Sequence, residues 1–231
     1  MTAASDLTAV LCSGGLDSVV LAAHEARERE VLPIYVCVGL AWEPAERAVL
    51  ARLAATAAFS GRIRPAVALD VTMRDVYRPA HWAIAGTPPA YDTPDEDVYL
   101  AGRNVILLAK AGVYCATAGI RRLAIGPLAG NPFPDATPVF FAAMARALSL
   151  GLDSPIEIVA PFAAMQKAEV VRLGVTLGVP LEISLSCMNP RDGMHCGVCS
   201  KCRERRDAFA EARVEDRTVY ANPSPRHSPQ G

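Results

Sequence analysis

The segment that most constrains this chain is an apolar run that ends in two adjacent glycines. Residues 7–12 are mostly apolar, and they lead through Ser13, Gly14 and Gly15 into the apolar stretch 19–23. This order predicts a buried parallel strand, a tight turn and a helix. Adjacent glycines let the backbone adopt positive φ and approach a ligand closely, and the helix dipole favours an anion at this end. The turn is therefore predicted to hold phosphate.

The side chains of the turn indicate what kind of phosphate site it is. Ser13 and Ser18 add hydroxyl donors, whereas the carboxylate of Asp17 would repel phosphates unless a divalent cation lay between them. We therefore expect Mg²⁺ to bind together with a nucleotide. No Lys precedes a Ser or Thr at the end of the loop, which excludes the Walker pattern, and the third glycine of the dinucleotide fingerprint is missing.

This turn resembles the SGG-x-DS signature of the PP-loop ATP pyrophosphatases. Members of that family cleave ATP between the α and β phosphates while they adenylate an oxygen of the substrate. The resemblance implies that ATP and Mg²⁺ are held by six consecutive residues: Ser13, Gly14, Gly15, Leu16, Asp17 and Ser18.

Segments typical of strands and of helices alternate along the chain. Strands are predicted at residues 7–12, 31–38, 65–70, 123–126 and 156–160. Helices are predicted after the glycine turn and at residues 44–58, 103–118, 138–150 and 166–177. This alternation predicts an α/β fold, in which a Rossmann-like parallel sheet carries helices on both faces. Ligands then bind beyond the carboxyl ends of the strands.

The predicted organisation is one large domain with a small appendage. A chain of 231 residues, of which 52% are apolar, can bury one sizeable core. We expect an ATP-binding α/β domain at residues 1–180, a helical zinc-binding module at 181–215 and a disordered tail at 216–231. Prolines predict a loop over residues 78–97.

Charge and hydropathy limit the classes of partner. No uncharged window reaches the roughly 18 residues of a spanning helix, and the N-terminus lacks the pattern of a signal peptide. We therefore expect a cytoplasmic protein without membrane contact. A formal net charge of −1 makes nucleic acid an unlikely partner, although basic residues cluster at 201–206.

Four cysteines crowd into a short segment near the C-terminal end. Cys187, Cys196, Cys199 and Cys202 have the spacing C-x8-C-x2-C-x2-C. With no secretion signal, this distribution favours a metal over disulfides, and four thiolates complete a closed tetrahedral shell for Zn²⁺. An iron–sulfur cluster is the competing interpretation. His195 is expected to be a neighbour of the metal rather than a ligand.

The glycine turn and the cysteine cluster together make the chain similar to the 7-cyano-7-deazaguanine synthases of queuosine biosynthesis. The resemblance spans residues 7–212 and includes segments 99–104, 160–169 and the Pro134-Asp135 pair. It implies a fold like that of the adenine nucleotide alpha-hydrolases, an ATP-dependent C–N ligase and a homodimer. In that family 7-carboxy-7-deazaguanine is adenylated, ammonia forms an amide, and a second activation gives the nitrile.

The resemblance also implies roles for residues outside the glycine turn. Lys167 would place an ammonium on the triphosphate, and Arg103 would bind phosphate or the substrate carboxylate. With Asp17, these two are the predicted catalytic residues. Asn104 and Asp135 are predicted to bind substrate, with Asp135 accepting hydrogen bonds from a purine-like edge. A helix N-cap before residue 138 is the alternative role for Asp135.

Two segments depart from the pattern of that family. Residues 38–43 read Val-Gly-Leu-Ala-Trp-Glu where a Tyr-Gly-Gln-Arg-His-like segment is usual, and residue 136, after the Pro-Asp pair, is Ala where a Cys is usual. A divergent PP-loop ligase that transfers a deazapurine acid to another amine, including an amine on a protein, is therefore an alternative. A PP-loop tRNA-modifying enzyme is a third interpretation.

Overall fold

The computed structural model describes residues 6–223, and its centre is a five-stranded parallel sheet. The strands are β1 (Leu7–Leu11), β2 (Glu30–Cys37), β3 (Val67–Asp70), β4 (Arg122–Ala124) and β5 (Glu157–Val159). Their order across the sheet is β3-β2-β1-β4-β5. The chain runs outward from β1 in one direction through β2 and β3, and β4 and β5 lie on the other side. A crevice therefore opens at the carboxyl ends of β1 and β4.

Eight helices are assigned among the described residues. They are α1 (Leu16–Glu25), α2 (Glu43–Ala54), α3 (Arg74–Tyr77), α4 (Trp82–Ala85), α5 (Arg103–Thr117), α6 (Pro138–Gly151), α7 (Lys167–Thr176) and α8 (Ser200–Ala212). The central strands are apolar on both faces because helices cover both faces: Ala9 and Val10 of β1 and Ile34 of β2 are fully buried. The predicted α/β fold is confirmed.

Two segments differ from the sequence predictions by more than one or two residues. The helix predicted at residues 44–58 ends at Ala54, and a 3-10 turn, Ala57–Phe59, follows it. The segment predicted as a loop at residues 78–97 contains α4. That short helix forms because His81 Nδ1 accepts a hydrogen bond from the backbone N–H of Ala83 at 3.2 Å, and Gly86 ends it at φ 74°.

The segment that follows α8 packs back on the protein. Asp216 accepts hydrogen bonds from the backbone N–H of Thr218 and the hydroxyl of Tyr220, and the side chain of Asn222 donates to the carbonyl of Cys196 at 2.9 Å. The expectation of disorder from residue 216 onward is thus wrong for residues 216–223, because polar side chains there satisfy buried groups. The remainder of that segment, 224–231, lies outside the described residues. In the part described, no helix has the length and apolar character needed to cross a membrane.

Candidate functional site

The glycine turn between β1 and α1 has the backbone that its sequence predicts. Gly14 adopts φ 81°, and a Cβ there would lie 3.1 Å from Val49 Cγ1 and 3.2 Å from the carbonyl oxygen of Glu46. Both the conformation and the close packing therefore require glycine. Gly15 is the N-cap of α1 in extended conformation, and the carbonyl of Gly14 accepts a hydrogen bond from the backbone N–H of Leu185 at 2.8 Å.

Hydroxyl groups stabilise this turn from inside. Ser18 Oγ donates to the carbonyl of Gly15 at 2.9 Å, and Ser13 Oγ accepts from the N–H of Gly15 at 3.3 Å. The side chain of Leu16 is buried in the core, so only its backbone can contact a ligand. The six residues predicted to hold ATP thus surround one helix N-terminus at the crevice.

A chain of alternating charges crosses the crevice beside the turn. Lys167, the first residue of α7, places Nζ 3.1 Å from Asp17 Oδ2 and 2.5 Å from Glu204 Oε1. Lys201 Nζ lies 2.6 Å from Glu204 Oε2. Glu204 and Lys201 both belong to α8, so the C-terminal module supplies half of this charge cluster.

The pKa values in the charge cluster follow from these contacts. Burial disfavours the charged form of Lys167, but the carboxylates of Asp17 and Glu204 outweigh it and raise the pKa of Lys167. Burial likewise opposes ionisation of Glu204, yet Lys167 and Lys201 lower its pKa to about 2. Lys167 and Glu204 are therefore both charged at neutral pH.

One oxygen of Asp17 is left without a hydrogen bond. Asp17 Oδ2 contacts Lys167, whereas Oδ1 is buried and has no partner among the described residues. A buried carboxylate oxygen without a donor is unfavourable in a folded chain. Because Asp17 lies on the first turn of α1, beside the predicted phosphate site, this oxygen fits a hard cation bound with phosphate.

Two connected chambers occupy the crevice. The inner chamber, with a volume of about 280 Å³, reaches between the ends of β1, β2 and β4. The outer chamber, of about 430 Å³, extends to Lys167 and α8 and is bordered by the stacked rings of Trp42 and Trp82. Residues common to both include Ser13, Asp17 and Arg103. A nucleotide and a second heterocycle can therefore lie side by side.

The start of α5 forms one wall of both chambers. Arg103 is its first residue, and Arg103 Nε is buried without a partner among residues 6–223. Asp135 Oδ2 accepts a hydrogen bond from the N–H of Asn104 at 3.0 Å, and Asn104 Nδ2 donates to the carbonyl of Asp135 at 3.0 Å. The sequence alternative for Asp135 is wrong, because Thr137 caps α6 and Asp135 instead fixes the first turn of α5.

A buried carboxyl that no sequence motif predicted lies on the opposite wall. Glu46 of α2 is 7% exposed, and its Oε2 accepts a hydrogen bond from the hydroxyl of Tyr35 at 2.7 Å. Burial raises the pKa of Glu46 to about 7, against the opposing effect of Arg103. The acidic residues of α2 follow one another at helical spacing, which is typical of a solvated face, so no sequence signal marked this one.

The four predicted cysteine ligands come together in the C-terminal module. Their sulfur atoms all lie within 4.8 Å of one another, and Cys202 Sγ is 3.9 Å from Cys196 Sγ and 3.6 Å from Cys199 Sγ. A tetrahedral ion with sulfur ligands at about 2.3 Å places them about 3.8 Å apart. The cluster thus has the size needed for a single metal ion.

Backbone donors surround these sulfur atoms. The N–H groups of Asn189 and Cys196 point at Cys187 Sγ, at 3.3 and 3.2 Å, and the N–H of Gly197 points at Cys202 Sγ at 3.4 Å. Such donors stabilise thiolates. His195 Nε2 accepts a hydrogen bond from the N–H of Ser186 at 3.1 Å and is therefore engaged away from the cluster, as expected.

Arg205 ties the cysteine module to the rest of the protein. Its side chain is fully buried and donates to the hydroxyl of Thr218, the hydroxyl of Ser184 and the carbonyl of Leu181. Cys199 is the N-cap of α8, so the same helix begins at a cysteine of the cluster and carries Glu204 into the crevice.

Comparison with known proteins decides the family. The family model for queuosine biosynthesis protein QueC matches residues 8–213. The chain belongs to the QueC family. The resemblance stated from the glycine turn and the cysteine spacing is thereby confirmed, and the match includes the cysteine module as well as the sheet.

Individual relatives agree with this assignment. A 7-cyano-7-deazaguanine synthase from Methanopyrus kandleri is 32% identical over 92% of this chain and 98% of its own length. One from an Anaeromyxobacter species is 40% identical, in a match that spans only 53% of this chain and 55% of that protein. Among solved structures, the U34-tRNA thiolase NcsA from Methanococcus maripaludis with its [4Fe-4S] cluster is 14% identical over 92% of this chain and 75% of that one, with a TM-score of 0.48.

Proposed function

We propose that this QueC-family chain converts 7-carboxy-7-deazaguanine and ammonia into 7-cyano-7-deazaguanine, with ATP cleaved to AMP and pyrophosphate. The observation that carries the proposal is the arrangement at the crevice. The glycine turn and Arg103 face the same cavity, and Asp17 Oδ1 and Arg103 Nε have no hydrogen-bond partner among residues 6–223. One side fits a metal-bound triphosphate, and the other fits a carboxylate.

In the first step, a carboxylate oxygen of the acid attacks the α phosphorus. The bond from that phosphorus to the bridging oxygen breaks, and pyrophosphate leaves with the electron pair. Mg²⁺ held by Asp17 would neutralise charge on the phosphates. Lys167, released from Asp17 when the cation binds, would donate to the leaving pyrophosphate while Glu204 keeps it in place. Arg103 would hold the attacking carboxylate in line.

The later steps use ammonia and a second ATP, and they take place at the same site. Ammonia adds to the acyl carbon, the bond to AMP breaks, and a proton passes to solvent. The amide oxygen then attacks the α phosphorus of a second ATP, and loss of AMP with two protons leaves the nitrile. In this scheme Asn104 and Asp135 lie beside the acid. Their hydrogen bonds to each other fix the start of α5 and thereby keep Arg103 at the cavity.

We assign Zn²⁺ to the cysteine cluster. Support comes from the sulfur separations of 3.6 and 3.9 Å, which suit four ligands on one ion. In a four-iron cluster each sulfur binds a different iron, so the sulfur atoms stand farther apart. Four thiolates leave no open coordination position, which makes the proposed zinc structural. We also propose that the chain forms a homodimer, as the resemblance to the synthases implies. Light scattering measures the mass in solution and tests this.

A product analysis tests the proposed function. Purified, zinc-loaded protein is incubated with ATP, Mg²⁺, 7-carboxy-7-deazaguanine and ammonium, and the products are identified by mass spectrometry. The nitrile together with AMP is the expected outcome. Accumulation of the amide, or product only when another amine is supplied, would support the divergent ligase suggested by residues 38–43. No consumption of ATP with the acid would refute both.

A further inference from the structure

The crevice must contain a group that recognises the ring of the acid, and the residue chosen from sequence is engaged elsewhere. Both carboxylate oxygens of Asp135 already interact with Asn104, at 3.0 Å to its N–H and 3.4 Å to its side-chain nitrogen. Glu43, also at the inner chamber, accepts hydrogen bonds from the N–H groups of Val38 and Gly39 at 2.7 and 3.0 Å. Both carboxylates serve to hold the backbone.

Asp17, which also lines the inner chamber, contacts Lys167 at the phosphate turn, so Glu46 is the carboxyl left for the ring among the described residues of this chamber. The phenol of Tyr35 on β2 donates a hydrogen bond to Glu46 Oε2. Trp42 and the charge of Arg103 also favour its ionised form, but no cation among residues 6–223 forms an ion pair with it within 4 Å. A carboxyl that is 7% exposed and lacks a close cation is unfavourable unless a ligand supplies donors. Burial holds the pKa of Glu46 near 7, so a donor ligand can readily draw it into the ionised form.

The rest of the inner chamber suits a flat ring between two polar ends. Apolar side chains from β1, β2, α5 and the residue after β4 line its depth: Leu11, Ile34, Val36, Leu107 and Ile125. Glu46 lies on α2 on one side, and Arg103 begins α5 on another. A volume of about 280 Å³ holds one bicyclic heterocycle with its substituents and leaves the triphosphate to the outer chamber.

We propose that Glu46 recognises the deazapurine acid by accepting hydrogen bonds from the ring N–H and the 2-amino group of its guanine-type edge, while Arg103 binds the carboxylate at the other end of the ring. This assignment rests on the proposed function, and it makes Glu46 the specificity-determining residue of the acid site. Two parallel donors match the two oxygens of one carboxylate, which an adenine edge with one donor and one acceptor does not.

Binding measurements test this assignment without turnover. Calorimetry in the presence of Mg²⁺ and α,β-methylene-ATP gives the Kd of 7-carboxy-7-deazaguanine and of its analogue without the 2-amino group. Glu46→Gln is expected to weaken binding of the acid roughly 10- to 100-fold, since a charged acceptor is lost. Glu25→Gln is the matched control, because Glu25 is also 7% exposed but pairs with Arg122 at the far end of α1.

The analogue makes the test independent of any folding defect. Wild-type protein is expected to bind the analogue more weakly than the acid, whereas Glu46→Gln binds the two about equally. Equal binding of both compounds by the wild type overturns the assignment. So does a Glu46→Gln variant that binds the acid normally but ATP weakly, since Glu46 would then recognise adenine. Binding of the acid without any turnover refutes the proposed function and leaves this assignment standing; no binding refutes both.

Discussion

Removal of the carboxylate of Glu204 tests whether the cysteine module takes part in the nucleotide site. In Glu204→Gln, Lys167 keeps its ion pair with Asp17 but loses the one with Glu204. Lys201 loses its ion pair with Glu204. The change preserves size and the helical position. It therefore isolates the charge that α8 contributes to the crevice.

The magnitude follows from the pKa of Glu204. Its depression from 4.5 to about 2 corresponds to about 3 kcal/mol of stability at neutral pH. The Lys167–Glu204 contact also raises the pKa of Lys167, so its contribution to the free energy of unfolding must not be added a second time. The side chain of Glu204 is 24% exposed and Lys167 retains Asp17, which together reduce the expected loss to about 1–2 kcal/mol. Because a lowered carboxyl pKa stabilises the fold above the unfolded value near 4.5, this loss should be constant from about pH 6 to 8.

Urea unfolding and ATP kinetics measure the two consequences. We expect Glu204→Gln to lower the free energy of unfolding by that amount and to lower kcat/KM for ATP about 10-fold with its zinc content unchanged, because Lys167 is no longer held toward the phosphates. Glu211→Gln, an exposed position on the same helix, is the control. If the two variants share the same stability and kcat/KM, the charge cluster does not link α8 to the nucleotide site.

Three further predictions concern single side chains. Asp17→Asn and Lys167→Ala are each expected to reduce ATP consumption at least about 100-fold while leaving the circular dichroism spectrum unchanged, and near wild-type rates would remove the glycine turn from the mechanism. Cys199→Ser should lose the single zinc found by elemental analysis and lower the melting temperature, because metal binding is coupled to folding; iron with sulfide in the wild type would contradict the assignment. Because the pKa of Glu46 is raised to about 7, its ionisation costs stability as pH rises from 4.5 to 7. Glu46→Gln should therefore be more stable than wild type by about 1–3 kcal/mol at pH 8 and gain little at pH 5, as urea titrations at both pH values can show.

The sequence was sufficient for features that depend on local spacing. The glycine turn was predictable because the positive φ at Gly14 and the helix start at Gly15 depend only on adjacent residues. The convergence of the four cysteines was predictable for the same reason, since closely spaced thiolates can meet around one ion. Strand positions followed from apolar runs that a parallel sheet buries on both faces.

Features that depend on how distant elements pack were not predictable. Nothing in the spacing of residues 200–212 indicates that Glu204 reaches Lys167, because the contact depends on how α8 lies against α7. Glu46 occupies a helix whose acidic pattern is typical of a solvated surface, and only the fold closes the cavity over it. The alternative role of Asp135 as the N-cap of α6 was wrong because its partner, Asn104, lies 31 residues away along the chain.

Oxygen-18 transfer tests adenylation at the glycine turn most directly. The acid is labelled in both carboxylate oxygens and incubated with ATP, Mg²⁺ and ammonium, and the nucleotide and phosphate products are analysed by mass spectrometry. Attack on the α phosphorus predicts one labelled oxygen in each AMP and unlabelled pyrophosphate, since the carboxylate and later the amide oxygen leave with AMP. Labelled inorganic phosphate together with ADP would show attack on the γ phosphorus and would contradict the account.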